Sequence, residues 1–133
     1  MIPGKVLTIL AVLWCLGFAE CARQTLSRMI TIDQSSNNTD VSVAVGEQVE
    51  IALRENPTTG FRWELKMDGA PACVPRGSTY EAPAAGVGRA GTRRWRFEAV
   101  QAGSGVIELV YRRSFEPDKP PAEVFRIGVN VGK

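Results

Sequence analysis

The chain has 133 residues, a length typical of one domain. Its 16 basic and 14 acidic residues leave a formal net charge of +2, which gives no reason to expect a nucleic-acid partner. Histidine is absent, and this excludes Ser-His and Cys-His nucleophile pairs and removes the commonest metal ligand.

The N-terminus has the layout of a secretory signal. A lysine precedes an apolar run over residues 6–18, and the small residues Gly17 and Ala19 fit the cleavage rule. The run is shorter than the ~20 residues that a membrane-spanning helix needs. We therefore expect residues 1–19 to be a signal peptide and residues 20–28 an N-terminal tail, with the mature chain periplasmic or secreted.

Two of the three cysteines would remain after that cleavage. Cleavage immediately before Cys21, with a lipid anchor on its thiol, is the alternative, although Glu20 stands where a lipoprotein signal has a small residue. In an oxidising compartment Cys21 and Cys73 could form a disulfide. Two separate free thiols are an equally good interpretation of the sequence. Two distant cysteines without histidine do not make a zinc site, so neither a metal nor a cofactor is expected.

Short alternating runs of apolar and polar residues recur through most of the chain. They include Val49, Ile51 and Leu53, then Phe61, Trp63 and Leu65, and later Trp95, Phe97 and Ala99. This period of two predicts strands whose apolar sides face a core, and no convincing amphipathic helix appears in the mature chain. Many short strands separated by turn residues predict an antiparallel β-sandwich or barrel.

A rigid, uncharged turn is formed by Asn56, Pro57, Thr58, Thr59 and Gly60. Asn56 is biased toward extended geometry by the following proline, whose own φ is fixed. Gly60 permits a positive φ where the chain reverses. The turn either connects two strands and nothing more, or it is a pre-organised loop that inserts into a partner's groove with little ordering entropy to lose.

Two further segments lack strand signals. Residues 68–75 are rich in Gly, Pro and Ala and are expected to be a loop, with a short edge strand around Thr79 and Tyr80. Residues 82–90 form a long loop of small residues, a kind that is usually functional or mobile.

A cluster of arginines follows that loop. On a strand, Arg94 and Arg96 share one face, while Arg93 shares the other with Trp95 and Phe97. Glutamates lie nearby in the sequence, so a solvated arginine face over an aromatic core is favoured over a phosphate-binding patch.

Three segments in a fixed order carry the most specific signal. They are Asn-Pro-Thr-Thr-Gly at 56–60, Val-Gly-Arg-Ala-Gly-Thr at 87–92 with the strand after it, and Tyr-Arg-Arg-Ser-Phe-Glu at 111–116. Together they resemble the chagasin family of cysteine-peptidase inhibitors over roughly residues 29–131. The resemblance implies a non-enzymatic inhibitor domain over residues 29–133. Its implied fold is an immunoglobulin-like antiparallel β-sandwich with the binding loops clustered at one end.

The resemblance also implies what the first two loops do. The turn at 56–60 would enter the active-site cleft of a papain-like cysteine peptidase, where the hydroxyls of Thr58 and Thr59 would make contacts. The second loop would lie along the substrate groove as an extended strand. Its residues are Gly88, Arg89, Ala90 and Gly91. The inhibitor is expected to act as a monomer.

The third loop would clamp the opposite side of the cleft with Arg113, Ser114 and Phe115, the phenylalanine acting as an aromatic anchor. Without a partner, Arg113 could instead be a solvated strand-end residue and Phe115 a residue at the edge of the core. The chain departs from the family pattern at Ala90 for glycine, Ser114 for proline and Phe115 for the commoner tryptophan. The departures at Ser114 and Phe115 predict that the third loop binds most weakly.

The alternative function is a non-inhibitory sandwich module that binds carbohydrate or a surface protein. Such modules commonly expose flat aromatic platforms. Trp63 and Trp95 instead fall on apolar alternations and are expected in the core, which favours the inhibitor.

Overall fold

A computed structural model describes residues 28–84 and 89–133. In this part the chain forms eight β-strands, which are Met29–Ile32 (β1), Thr39–Ala44 (β2), Gln48–Glu55 (β3), Phe61–Asp68 (β4), Cys73–Glu81 (β5), Gly91–Ala99 (β6), Gly103–Arg113 (β7) and Glu123–Gly132 (β8). The helical segments of this part are two 3-10 turns, Gln34–Ser36 and Pro57–Thr59. None of its helices is long and apolar enough to cross a membrane. The predicted signal peptide lies outside the described residues.

The strands form two four-stranded sheets that share one core. The first sheet has the order β1-β3-β6-β5 and the second the order β2-β8-β7-β4. The prediction of an immunoglobulin-like sandwich is confirmed. The edge strands β1 and β2 pair in parallel with β3 and β8, while the other neighbours are antiparallel. A period of two is common to both orientations, so the sequence pattern gave no sign of these parallel edges.

The core lies where the inner faces of the two sheets meet. Its most buried members are Val49, Ile51, Leu53, Phe97, Ile107, Leu109, Phe125, Ile127 and Val129. Each such side chain contributes about 1.5–3 kcal/mol through burial. Trp63 is buried and Trp95 packs against the cluster, as the alternation predicted. This core holds four strand ends in a fixed arrangement at one end of the sandwich.

The ladder registers show which segments meet at that end. Glu55 at the end of β3 pairs with Gly91 at the start of β6. Phe61 at the start of β4 pairs with Arg113 at the end of β7. The turn at 56–60 crosses from the first sheet to the second between these two pairs. The loop before β6 and the loop after β7 therefore flank it, and all three predicted loops gather at one end.

Strand β5 differs from the sequence expectation. The loop expected over residues 68–75 ends earlier, because β5 already begins at Cys73 and runs for nine residues. Its pairing with β6 slips at a bulge between Pro75 and Gly77. Proline and glycine are tolerated there because β5 is an edge strand and a bulge leaves a residue unpaired. Pairing with β6 thus overrides the weak local strand signal.

Candidate functional site: three loops at one end of the sandwich

The first loop is a single 3-10 turn over Pro57–Thr59, held by its flanking residues. Asn56 caps it, since its Oδ1 accepts hydrogen bonds from the backbone N of Thr58 at 3.2 Å and from Thr58 Oγ1 at 2.6 Å. Pro57 supplies the fixed φ of the first turn position. Gly60 ends the turn at φ 84°, a left-handed conformation that favours glycine. The pre-organisation expected from the sequence follows from these contacts.

The threonine hydroxyls are engaged inside the loop. Thr59 Oγ1 donates to the backbone oxygen of Asn56 at 2.7 Å, and Thr58 Oγ1 donates to the Asn56 side chain. Both threonines are exposed to solvent. Their hydroxyl donors therefore serve to hold the turn, a role that the sequence did not indicate.

The third loop clamps the first. Arg113 Nε donates to the backbone oxygen of Thr59 at 3.0 Å. The same guanidinium lies 4.4 Å from the centre of the Phe61 ring and 5.9 Å from that of Phe115. A Cβ on Gly60 would lie 3.1 Å from the Phe115 ring. Arg113 is thus a bridge between two loops and not a solvated strand-end residue.

Phe115 is the most exposed large apolar side chain of the described residues, with 69% of its surface accessible. It is therefore not an edge residue of the core. Ser114 is exposed beside it. The loop turns through a hydrogen bond from the backbone N of Glu116 to the oxygen of Arg113 at 3.1 Å. An exposed aromatic ring on an ordered turn is available for a partner to cover.

The second loop is described from Arg89 onward, and Gly88 lies outside the described residues. Arg89 is exposed. Ala90 lines a shallow pocket of about 220 Å³ together with Asn56 and Tyr111, which places it beside the first loop. Gly91 is buried, and a Cβ there would lie 2.5 Å from the hydroxyl of Tyr80. The glycine at 91 is therefore required by packing within the sandwich.

Several buried or partly buried groups under the first loop were missed from the sequence. Tyr111 Oη accepts a hydrogen bond from the backbone N of Asn56 at 3.0 Å, and Trp63 Nε1 donates to the backbone oxygen of Arg54 at 2.8 Å. Glu55 is also buried. The alternation that puts Leu53 inward puts Glu55 inward too, so a charged residue in an apolar register was the available signal.

The arginine strand divides as predicted. Arg94 and Arg96 lie on the outer face of the first sheet, where both contact the buried carboxylate of Glu50, at 2.7 and 3.1 Å. The hydrogen bond to Glu50 raises the pKa of the Arg94 guanidinium. Arg93 faces inward with Trp95. Ion pairing with glutamate favours the interpretation as a structural face over a phosphate-binding patch.

Cys73 is buried beside Gly69. The pKa of its thiol is raised, mainly because burial disfavours the charged thiolate and also because the negative charge of Asp68 is nearby. Cys21 lies outside the described residues, so their pairing stays a prediction. The described ranges contain no group of three or more His, Cys, Asp or Glu side chains that could hold a metal ion.

An immunoglobulin-like sandwich with two interlocked loops at one end, and a further loop beside them at Ala90, is a scaffold for loop-mediated protein binding. Comparison of the chain with known protein families identifies the one to which it belongs. The model of the chagasin family peptidase inhibitor I42 matches residues 42–129. The chain therefore belongs to the chagasin family of peptidase inhibitors, and its function is inhibition and not catalysis.

Two relatives agree with this assignment, and one solved structure shares the fold. Amoebiasin-1 of Entamoeba histolytica is 34% identical over 103 residues, which cover 77% of this chain and 99% of that protein. Chagasin of Trypanosoma cruzi is 29% identical over 103 residues, covering 72% and 92%. The crystal structure of the cysteine protease inhibitor EhICP2 of Entamoeba histolytica has the same fold. It superposes with a TM-score of 0.69 at 19% identity and covers 80% of this chain and 97% of that one.

Proposed function

We propose that the three loops occlude the active-site cleft of a papain-like cysteine peptidase. The chain is a reversible proteinaceous inhibitor of such enzymes, as its family membership supports. One observation carries the loop assignment. Arg113 of the third loop donates to the backbone of Thr59 in the first, so two segments far apart in the sequence form one rigid surface. The second loop adjoins it at Ala90.

The first loop blocks the cleft without being a substrate. Extended peptides are recognised through main-chain hydrogen bonds along a strand. Here the amide of Thr58 is bonded to the Asn56 side chain, that of Thr59 to the Asn56 oxygen, and that of Gly60 to the Pro57 oxygen. None of these amides is available to pair as a substrate strand would. The turn fills the cleft and presents no scissile bond in extended geometry.

Phe115 is the aromatic anchor of the third loop. Aromatic side chains that are exposed in the free protein and covered in the complex dominate the energy of many interfaces. Arg113 fixes the first loop next to the Phe115 ring through its contacts with Thr59 and Phe61. The second loop, from Gly88 to Gly91, would lie along the substrate groove on the other side of the first loop, mainly through backbone hydrogen bonds.

The chain reaches its target outside the cytoplasm. Residues 1–19 act as the signal peptide, and the mature protein is a periplasmic or secreted monomer. Support comes from the apolar run and from the small residues before the proposed cut.

The test is a titration of the purified mature chain into papain, with hydrolysis of a small peptide substrate followed. Stoichiometric inhibition that is reversed by dilution is expected, with a serine peptidase unaffected. No inhibition of several papain-like enzymes at micromolar inhibitor would overturn the proposal. Sugar binding with unaffected peptidases would support the carbohydrate module, which the burial of Trp63 already disfavours.

A further inference from the structure

A charged side chain is buried directly beneath the first loop. Glu55 is the last residue of β3 and precedes Asn56, yet only 1% of it is exposed. Removing a carboxylate from water costs several kcal/mol, and a buried ion pair is weak evidence for net stability. The contacts of Glu55 point to a different role.

The Glu55 carboxylate joins both sheets where the loops begin. Its Oε1 accepts a hydrogen bond from the backbone N of Trp63 on β4 at 2.8 Å. Its Oε2 accepts a hydrogen bond from Nε of Arg93 on β6 at 2.9 Å, and Nη2 of the same guanidinium lies 2.8 Å from that oxygen as an ion pair. One carboxylate therefore ties the strand that enters the first loop to the strand that leaves it and to the strand that follows the second loop.

The contact chain continues to the second loop. The Arg93 guanidinium lies 5.4 Å from the centre of the Tyr80 ring. The Tyr80 hydroxyl closes over Gly91, where no Cβ would fit. Gly91 is the first residue of β6 after the second loop, and it pairs with Glu55 in the ladder. The bases of both loops are thus held by one set of contacts centred on Glu55 and Arg93.

We propose that Glu55 and Arg93 are positioning residues for inhibition. They touch no peptidase, but they set the placement of the first loop relative to the second. A charge-assisted hydrogen bond from a planar guanidinium to a carboxylate is directional, so it specifies a geometry as well as an energy. This inference rests on the proposed occlusion of a peptidase cleft by these loops.

The chain offers a matched control on the same strand. Glu50 is also buried, at 5% exposure, and is paired with Arg94 and Arg96. It lies on the outer face of β3, five residues before Glu55, with no contact to a loop among those described. Both Glu50→Gln and Glu55→Gln remove a buried charge from an arginine partner. Only Glu55→Gln weakens the contacts that hold the bases of the first and second loops.

The experiment compares these variants on papain at a temperature where both are folded. Both are expected to lower the melting temperature. Glu55→Gln should raise the dissociation rate about tenfold, which lies within the range for coupled contacts, while Glu50→Gln should change it less than about twofold. Arg93→Lys keeps the charge without the planar guanidinium and should be intermediate, with Arg96→Lys, whose guanidinium pairs with Glu50, as its control.

A readout without peptidase separates this inference from the proposed function. Amide hydrogen exchange at Thr59 and Gly60, whose N–H groups are bonded within the turn, should be faster in Glu55→Gln than in Glu50→Gln. If the parent does not inhibit papain, the proposed function fails and exchange still tests the loop positioning. Equal exchange and equal dissociation rates in the two variants would show that Glu55 only contributes to stability. If Glu55→Gln does not fold, the two lysine variants decide by the same measurements.

Discussion

Replacing Gly60 by alanine tests whether the first and third loops act as one surface. Gly60 has φ 84°, and left-handed geometry costs a non-glycine residue about 1–2 kcal/mol. A Cβ there would also lie 3.1 Å and 3.3 Å from two atoms of the Phe115 ring and 3.7 Å from Cγ of Arg113. The ring is exposed and free to move outward, so the collision changes its position more than it changes the stability of the fold.

A second glycine provides the control for backbone strain. Gly46, in the turn before β3 and so at the opposite end of that strand from the first loop, has φ 93° and nothing within 4 Å of a Cβ. Gly46→Ala should therefore suffer the same strain with no effect on the loops. Each variant should lower the melting temperature by about 4 °C for each kcal/mol, the scale for a domain of this size.

Inhibition should separate the two variants. Displacing an aromatic anchor that contributes about 2 kcal/mol or more should weaken binding of Gly60→Ala by about thirtyfold or more. Gly46→Ala should inhibit like the parent. The assay pairs thermal unfolding with the inhibition constant on papain. Equal inhibition by both variants, with equal loss of stability, would refute the reasoning that Phe115 binds in the position that Gly60 allows.

Three further outcomes are expected. Thr59→Trp should abolish tight inhibition with only a small loss of thermal stability, because the exposed residue gives up one hydrogen bond within the turn and no core burial. An inhibition constant equal to the parent's would place the tip of the turn outside the cleft. The double variant Ser114→Pro with Phe115→Trp should slow dissociation from the peptidase, since proline suits the second position of the turn and such a replacement typically adds ~0.4–1 kcal/mol of stability to the folded turn. A faster dissociation rate with an intact circular dichroism spectrum would contradict this. Intact-mass analysis of the exported protein should show a cut near Ala19, or lipid on Cys21; an uncut chain would end the export prediction.

Much of the fold could be predicted because its signals are local. The inward residues of β3 alternate along the chain, and this period is a property of an extended strand whatever lies beside it. Asn56, Pro57 and Gly60 restrict their own backbone angles, so the first loop was recognisable as a rigid turn. Its cap, its proline and its left-handed glycine are found in the structure at those positions.

Other features of the fold depended on which strands lie side by side, and the sequence pattern does not show which strands pair. β5 forms as a long edge strand only because β6 is beside it, despite the proline and glycine within it. The parallel edges β1 and β2 follow from the packing of two sheets. A strand pattern carries the same period in either orientation, so only the assembled sheets decide which neighbour a strand takes.

The functional site shows most clearly which features follow from local sequence and which follow from tertiary contacts. The sequence by itself determined that the turn at 56–60 is a loop and that it is rigid, whereas the loop that it predicted over residues 68–75 proved shorter. The tertiary structure decided that the Thr59 hydroxyl turns inward, that Arg113 bridges two loops, and that Phe115 stands exposed. It also brought Arg93 to Glu55 across 38 positions of sequence. Such contacts arise only when the common core brings distant strand ends together, because no local conformational preference encodes which distant side chain a buried charge will meet.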